Sequence, residues 1–202
     1  TSGFVDVLAF IGSTRVANLL EKQHPKPNRL KCVLGLGAKN PGIILEDADL
    51  NLAVKECITG SLSYNGQRCT ALKIIFVHKN IVEKFIEKFC ESVAQLKLGM
   101  PWETGVNITP LPENNKTNYM QDLIQDAVAK GAKVINKDGG KTNHSIMVPA
   151  VVYPVTEQMQ LYSVEQFGPV VPIVAFDNID TPMQYIVNSE FGQQASIFGK
   201  NP

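Results

Sequence analysis

The sequence carries no net charge, because its 19 Lys and Arg residues are balanced by 19 Asp and Glu residues. It also has no run of basic residues long enough to follow a phosphate backbone, which argues against nucleic acid as a partner. Its longest apolar stretches, residues 74–77 and 170–174, have the length of β-strands and are far too short to span a bilayer. The sequence therefore predicts no nucleic-acid partner and no membrane partner.

Cysteine and histidine are also sparse. The four cysteines show neither CxxC spacing nor the density of a disulfide scaffold, which favours a reducing, cytoplasmic compartment. The three histidines are scattered and none pairs with a cysteine at the spacing of metal ligands, so we expect no metal site. The first residue is not Met and no signal-peptide pattern follows it, so we expect the chain to begin part-way through a gene product. The cysteines are Cys32, Cys57, Cys69 and Cys90.

With 202 residues, 44% of them hydrophobic, the chain can form a proper core. Segments with apolar residues at three- and four-residue spacing alternate with short apolar runs, which predicts helices alternating with strands. This order favours an α/β fold, Rossmann-like, with a largely parallel sheet covered by helices on both faces. The predicted helices cover residues 15–23, 50–62, 81–96, 117–130 and 181–190, and the predicted strands cover residues 5–11, 30–34, 42–45, 72–77, 133–135, 146–152 and 169–176.

Cys69 lies in a polar segment that contains glycine, residues 63–70, between a predicted helix and a predicted strand. A cysteine that serves only in packing is expected inside an apolar run. A reactive cysteine needs partial exposure and a positive neighbour that favours its thiolate, and Arg68 supplies that charge in the sequence. The position therefore indicates a nucleophile.

Four segments carry a resemblance to a known family. They are Phe-Ile-Gly-Ser-Thr at residues 10–14, Gly-Leu-Gly-Ala-Lys-Asn-Pro at 35–41, Gly-Gln-Arg-Cys-Thr at 66–70, and Glu-Gln-Phe-Gly-Pro-Val at 165–170. Their order and spacing resemble the aldehyde dehydrogenase superfamily, whose patterns are F-T-G-S-T, E-L-G-G-K-x-P, G-Q-x-C and E-x-F-G-P-V. Within it, residues 66–73 look most like the NADP-dependent, non-phosphorylating glyceraldehyde-3-phosphate dehydrogenase group.

The resemblance implies a reaction through a thioester. Cys69 would attack the aldehyde carbon as a thiolate, and the oxyanion would be held by the Cys69 backbone amide and by an amide side chain that lies upstream in the family. Hydride would then leave for NAD or NADP. Glu165 matches the family glutamate that bonds the nicotinamide ribose, and Phe167 matches the aromatic that packs near the ring. Without the other motifs, these two would be read as a surface acid and a core phenylalanine.

Gly12 and Ser13 match positions where a turn approaches the cofactor at a helix N-terminus. Ser13 is equally well placed to be an ordinary helix cap. Arg68 could lower the pKa of the neighbouring thiol, form a surface salt bridge, or present its planar fork to a substrate phosphate. The resemblance favours the phosphate.

The sequence departs from the family pattern at Gly35, where the pattern has the glutamate that activates water to hydrolyse the thioester, and at Ala38, where it has a second glycine. Gly35 predicts slow turnover, release by another base, or release to a thiol such as coenzyme A.

The resemblance also implies a domain division. Residues 1–34 would be the last strand and helix of a cofactor-binding domain, and residues 35–202 a catalytic domain without its C-terminal oligomerisation strand. We expect such a piece to be inactive alone, and the full-length protein to be a homo-oligomer, a dimer or a tetramer.

Three functions remain open. The first is NAD(P)-dependent oxidation of glyceraldehyde 3-phosphate to 3-phosphoglycerate. The second, favoured by Gly35, is a coenzyme A-acylating semialdehyde dehydrogenase. The third is a catalytically inactive homologue, against which the intact segment around Cys69 argues, since packing alone needs no thiol beside an arginine.

Overall fold

The computed structural model describes residues 3–192 and 194–200. They fall into two compact units, divided between residues 38 and 39. The first unit is a strand, helix and strand: β1 (Val7–Ile11), α1 (Thr14–Lys22) and β2 (Lys31–Gly35). The two strands pair in parallel, from Val7 opposite Lys31 to Ile11 opposite Gly35. This is the strand, turn and helix that the sequence predicts for residues 5–23. Whether this unit belongs to a cofactor-binding domain stays a prediction.

The second unit is built on a six-stranded sheet with the order β10-β3-β4-β9-β8-β5. All neighbouring strands run parallel except β5, which is antiparallel to β8 at one edge. A two-stranded antiparallel hairpin, β6 and β7, is separate from this sheet. The strands are β3 (Pro41–Ile44), β4 (Ile74–His78), β5 (Lys133–Val134), β6 (Thr142–Asn143), β7 (Ile146–Met147), β8 (Ala150–Tyr153), β9 (Val170–Phe176) and β10 (Ser196–Phe198).

Helices cover both faces of this sheet. Along β4, Ile74 and Phe76 point into one apolar cluster and Ile75 and Val77 into the other, as the two-residue period of a strand requires. The first cluster also contains residues of α4 and α6, and the second contains residues of α2 and α3. The predicted α/β fold with a largely parallel sheet is therefore confirmed. The helices are α2 (Leu50–Leu62), α3 (Val82–Ala94), α4 (Lys116–Ala129), α5 (Gln160–Ser163) and α6 (Asp180–Asn188).

The structure differs from the sequence prediction at several elements, including the two-residue strand β6, which the sequence does not predict. The predicted strand at residues 146–152 is two strands, β7 and β8, separated at Pro149, which has no N–H to donate to a ladder. The single-turn helix α5 is too short to show a helical period. Strand β10 forms the edge of the sheet, and its residues are exposed or half-buried, so it lacks the apolar run of a buried strand.

The turn after α2 has an unusual backbone. Tyr64, Asn65 and Gly66 are consecutive residues with positive φ angles of 52°, 58° and 70°. Asn65 is anchored by Thr109, whose backbone N–H donates to Asn65 Oδ1 at 2.9 Å. A Cβ atom at Gly66 would lie 2.7 Å from the carbonyl oxygen of Ser61 and 2.8 Å from that of Gly168. Glycine is therefore required here, both for its left-handed backbone and for the close approach of the segment before β9.

We predict that Gly66→Ala lowers the free energy of unfolding by about 2 kcal/mol or more, because it adds two backbone clashes to the strain of a positive φ. The matched control is Gly105→Ala, since Gly105 has a φ of +77° and no atom lies within 4 Å of its added Cβ. That variant should lose only about 1 kcal/mol, the strain of the left-handed backbone. Urea unfolding of both variants measures the difference. Equal losses would contradict the close packing at Gly66.

Candidate active site

Cys69 lies in the turn between α2 and β4, and its side chain is half-buried. The buried side chain of Asn40 holds the backbone that follows the thiol, because its Nδ2 donates to the carbonyl oxygens of Cys69 at 2.7 Å and Ala71 at 3.0 Å. The partial exposure expected of a reactive thiol is present, while the role of nucleophile stays a prediction.

The Arg68 guanidinium is turned toward the start of the same turn. Its Nη2 donates to Ser63 Oγ at 2.7 Å, and its Cζ lies 5.2 Å from the centre of the Tyr64 ring. The Nε atom of Arg68 is buried and has no hydrogen-bond partner among the described residues. Arg68 therefore keeps one unsatisfied N–H donor.

Lys73 connects the cysteine turn with the segment before β9. Its side chain is 1% exposed, and its Nζ lies 3.1 Å from Glu165 Oε1. The same Nζ donates to the carbonyl oxygen of Arg68 at 2.6 Å and lies 5.4 Å from the centre of the Phe167 ring. One ammonium group thus contacts three of the residues that the sequence assigns to the site.

Burial lowers the pKa of Lys73, because a desolvated ammonium loses its hydration. The negative charge of Glu165, its hydrogen bonding and the nearby Cys69 favour the protonated form and offset part of this shift, whereas Arg68 adds to it. The pKa of Lys39 is lowered further, first by burial and then by the charge of Lys73, with Glu165 acting in the opposite direction.

Gln166 connects the two buried lysines. Its Oε1 accepts a hydrogen bond from Lys39 Nζ at 2.6 Å, and its Nε2 donates to the carbonyl oxygens of Lys73 at 2.8 Å and Val170 at 2.7 Å. The amide is itself buried. Its donors and its acceptor are thus used to fix the segments before β3, β4 and β9 next to one another.

Helix α4 contacts the other side of the segment before β9. Tyr119 Oη donates to the carbonyl oxygen of Glu165 at 3.1 Å, and Lys116 Nζ lies 5.7 Å from the centre of the Phe167 ring. Phe167 has a φ of 46°, which is rare for a residue with a side chain, so the backbone is held in a strained form. The structure therefore brings Arg68, Cys69, Glu165 and Phe167 to one region of the second unit.

Gly12 and Ser13 lie in the first unit, in the turn between β1 and α1. Ser13 caps α1, since its Oγ accepts from the backbone N–H of Val16 at 3.3 Å. The N–H of Gly12 donates to the carbonyl oxygen of Gly35 at 3.0 Å. The cap that the sequence allows for Ser13 is thus observed, and the role of both residues in cofactor binding stays a prediction.

Four buried polar side chains of this region are not among the site residues that the sequence predicts: Lys39, Asn40, Lys73 and Gln166. The sequence does contain a signal for Lys73, because a lysine inside the apolar run 71–77 is unusual and indicates a buried charge. Among residues 3–192 and 194–200, no group of three or more His, Cys, Asp or Glu side chains is arranged to hold a metal ion. In the same residues, no helix has the length and apolar character needed to cross a membrane.

Comparison with known proteins identifies relatives along almost the whole chain. A family model described as "Aldehyde dehydrogenase family" matches residues 2–202. The NADP-dependent glyceraldehyde-3-phosphate dehydrogenase of Streptococcus equinus is 39% identical over 197 residues, which cover 98% of this chain and 40% of the relative. Human retinal dehydrogenase 2 is 35% identical, over 96% of this chain and 38% of the relative.

A solved structure agrees with these sequence matches. The NADP-dependent glyceraldehyde-3-phosphate dehydrogenase of Bacillus halodurans, solved with NADP, superposes with a TM-score of 0.88 at 34% identity, covering 97% of this chain and 40% of that one. The chain therefore spans about two fifths of the length of the relatives that it matches.

We predict that iodoacetamide alkylates Cys69 at least about tenfold faster than Cys57 or Cys90 at pH 8, because thiolate character and exposure control the rate. Burial, aided by the charge of Glu56, raises the pKa of Cys57 to about 12, and burial also raises the pKa of Cys90. Cys32 is half-buried like Cys69 and serves as the control for accessibility. Mass spectrometry of the four cysteine peptides gives the rates. Uniformly slow labelling would favour a catalytically inactive homologue.

Proposed function

Because this chain belongs to the aldehyde dehydrogenase family, we propose that it carries the nucleophile of an NAD(P)-dependent enzyme that oxidises glyceraldehyde 3-phosphate to 3-phosphoglycerate. The observation that carries the proposal is the grouping of Cys69 and Arg68 with Glu165 and Phe167 around the buried Lys73. Two of the similar proteins, named NADP-dependent glyceraldehyde-3-phosphate dehydrogenases, support the choice of substrate.

The residues of the second unit suit a nicotinamide cofactor. Glu165 Oε1 is buried and lies 3.1 Å from the Lys73 ammonium, and the carboxylate keeps further lone pairs that can accept hydrogen bonds. A carboxylate is an acceptor only, so it matches the hydroxyl donors of a ribose. Phe167 supplies an apolar ring two residues further on. When bound, NAD or NADP would supply the hydride acceptor.

The chain's own residues account for the covalent steps. The Cys69 thiolate forms a bond to the aldehyde carbon, and the carbonyl electron pair moves to oxygen, where the Cys69 backbone N–H stabilises the developing charge. Loss of hydride leaves an acyl group on sulfur as a thioester. Addition of water to that thioester and departure of the thiolate would release the carboxylic acid.

Arg68 is the proposed phosphate-binding residue. Its guanidinium is held on one edge by Ser63 and keeps the Nε donor unsatisfied. Arginine binds phosphate with two parallel N–H donors, which favours a phosphorylated aldehyde over an uncharged one.

We predict that Arg68→Ala raises the KM for glyceraldehyde 3-phosphate by about three- to tenfold, since it removes a charge-assisted hydrogen bond. The KM for unphosphorylated glyceraldehyde should stay within about twofold of its original value, because that substrate has no phosphate to lose a contact. Steady-state kinetics of the protein expressed from its gene at natural length supply both constants. Equal losses for the two aldehydes would refute the phosphate role.

Gly35 makes hydrolysis the slow step of the proposed reaction. The family pattern has at this position the glutamate that activates water, and glycine supplies no base. Position 35 has room for a side chain, because the atom nearest to an added Cβ is Ile11 Cγ1 at 3.4 Å, which is an ordinary contact.

We predict a burst of one reduced nicotinamide per active site followed by slow turnover in the natural-length protein. Gly35→Glu should raise the steady-state rate by about tenfold or more, the usual gain from a positioned base, and leave the burst unchanged. Gly35→Gln is the matched control, of similar size but without a carboxylate, and should stay slow. Stopped-flow absorbance at 340 nm separates the two phases. Steady turnover as fast as the burst in the unmodified protein would contradict the proposal that hydrolysis is the slow step.

A coenzyme A-acylating semialdehyde dehydrogenase is the second candidate, and Gly35 is the observation that favours it. A thiol acceptor can attack the thioester as its own thiolate, without a protein carboxylate. Product analysis with and without coenzyme A separates the two functions, since acyl-coenzyme A replaces the free acid only in the second.

The resemblance to the aldehyde dehydrogenase superfamily also supports a domain division, a compartment and an oligomeric state. We place residues 1–34 with a cofactor-binding domain and residues 35–202 with a catalytic domain, in a cytoplasmic homo-oligomer, a dimer or tetramer. Size-exclusion chromatography with light scattering of the natural-length protein tests the oligomer.

A further inference from the structure

We propose that Tyr119 is a positioning residue whose hydroxyl holds the backbone of Glu165 and thereby keeps the Glu165 carboxylate and the Phe167 ring in place for a nicotinamide cofactor. This inference rests on the proposed function, because it takes Glu165 and Phe167 as the residues that meet the cofactor. It brings into the site the helix α4, on which the sequence predicts no site residue.

The segment before β9 needs support from outside itself. Phe167 has a φ of 46°, and a residue with a side chain keeps such a backbone only where its surroundings hold it. The Gln166 side chain supplies part of this support through its bonds to the carbonyl oxygens of Lys73 and Val170. Those bonds fix the backbone that follows Glu165 and leave the Glu165 carbonyl to a different partner.

Helix α4 supplies that partner. The Tyr119 hydroxyl donates to the carbonyl oxygen of Glu165 at 3.1 Å. The next residue, Met120, is packed so closely against Gly168 that an added Cβ there would lie 2.8 Å from the Met120 sulfur. Both contacts come from one turn of the helix, and they reach the two ends of the stretch that contains Phe167.

Helix α4 is itself firmly placed. Two turns after Tyr119 and on the same face of the helix, Asp126 accepts from the backbone N–H of Gln160 at 2.8 Å, which ties the start of α5 to α4. The helix therefore holds α5 and the segment before β9 together. Its opposite side is buried in the first apolar cluster through Met120, Leu123, Ile124 and Ala127.

The Tyr119 hydroxyl remains a donor at neutral pH. Burial, and then the negative charge of Glu165, raise the pKa of Tyr119, so the phenol keeps its proton. The Lys116 ammonium lies 5.0 Å from the centre of the Tyr119 ring and 5.7 Å from the centre of the Phe167 ring. The phenol is thus held both by its ring and by its hydrogen bond.

The test compares Tyr119→Phe, which removes only the hydroxyl, with Tyr162→Phe, which makes the same change on α5. Tyr162 is the matched control, because within residues 3–192 and 194–200 its ring packs against other rings and its hydroxyl makes no hydrogen bond. Hydrogen–deuterium exchange of the 202-residue chain, followed by mass spectrometry, measures how firmly residues 160–168 are held. Fluorescence titration of the natural-length protein with NADPH and with NADH gives the dissociation constant of the cofactor.

Tyr119→Phe should speed exchange at residues 160–168 by about two- to tenfold, because the segment loses one neutral hydrogen bond. The dissociation constant of the cofactor should rise by about two- to fivefold, since a less firmly placed acceptor is less preorganised. Alkylation of Cys69 by iodoacetamide should stay within about twofold, because the lost bond ends on Glu165 and not on the cysteine turn. Tyr162→Phe should leave all three quantities within about twofold.

The results that would overturn the inference are distinguishable. If the unmodified natural-length protein binds neither NADPH nor NADH, the proposed function fails and the inference with it. If the protein binds one of them and Tyr119→Phe leaves the dissociation constant unchanged, only the inference fails, whatever happens to exchange. Exchange that rises equally across β3, β4 and β9 would also refute the inference, since Tyr119 would then support the whole fold and not this segment.

Discussion

Two lysine ammonium groups are removed from water in the second unit, and each has a partner that only the assembled sheet can bring. Lys39 precedes β3, Lys73 precedes β4, and Glu165 and Gln166 precede β9, and these three strands are neighbours in the sheet. Because the strands run parallel, their amino ends lie at one edge. Gln166 reaches the Lys39 ammonium, and Glu165 reaches the Lys73 ammonium, only when residues more than ninety positions apart in the sequence have come together.

A buried ion pair such as Lys73–Glu165 is weak evidence for stability, since desolvation of both charges opposes their attraction. Apolar side chains of similar volume would fill this space without that penalty. Two lysines whose pKa values are lowered, beside a half-exposed thiol, are instead typical of sites that use charge. This cluster lies at the amino ends of the strands, whereas ligands of open α/β sheets usually bind beyond the carboxyl ends. The fold class alone would therefore not predict a site here.

Helices and strands that are set by a local residue pattern could be predicted from the sequence. Helix α2 is predicted with its observed bounds because its apolar period is clear and Asp49 accepts from the N–H groups of Asn51 and Leu52 at its start. The partners of Lys73 and Gln166 could not be predicted, since they depend on β4 and β9 lying side by side in the strand order. Strand β10 is missed because a half-exposed edge strand of three residues has no distinctive pattern.

In the proposed reaction, the fate of a thioester on Cys69 would depend on how the polar groups near it are already used. Glu165, the carboxylate of this cluster, is paired with Lys73, and protonating it as a base would break that pair. Lys39 is enclosed and donates to Gln166, so water does not reach it. Neither group can easily replace the glutamate that the family pattern has at position 35, where this chain has glycine. An acceptor that brings its own nucleophilic anion, such as a thiolate, would need no such base, so the chemistry around Cys69 is better suited to forming the acyl group than to hydrolysing it.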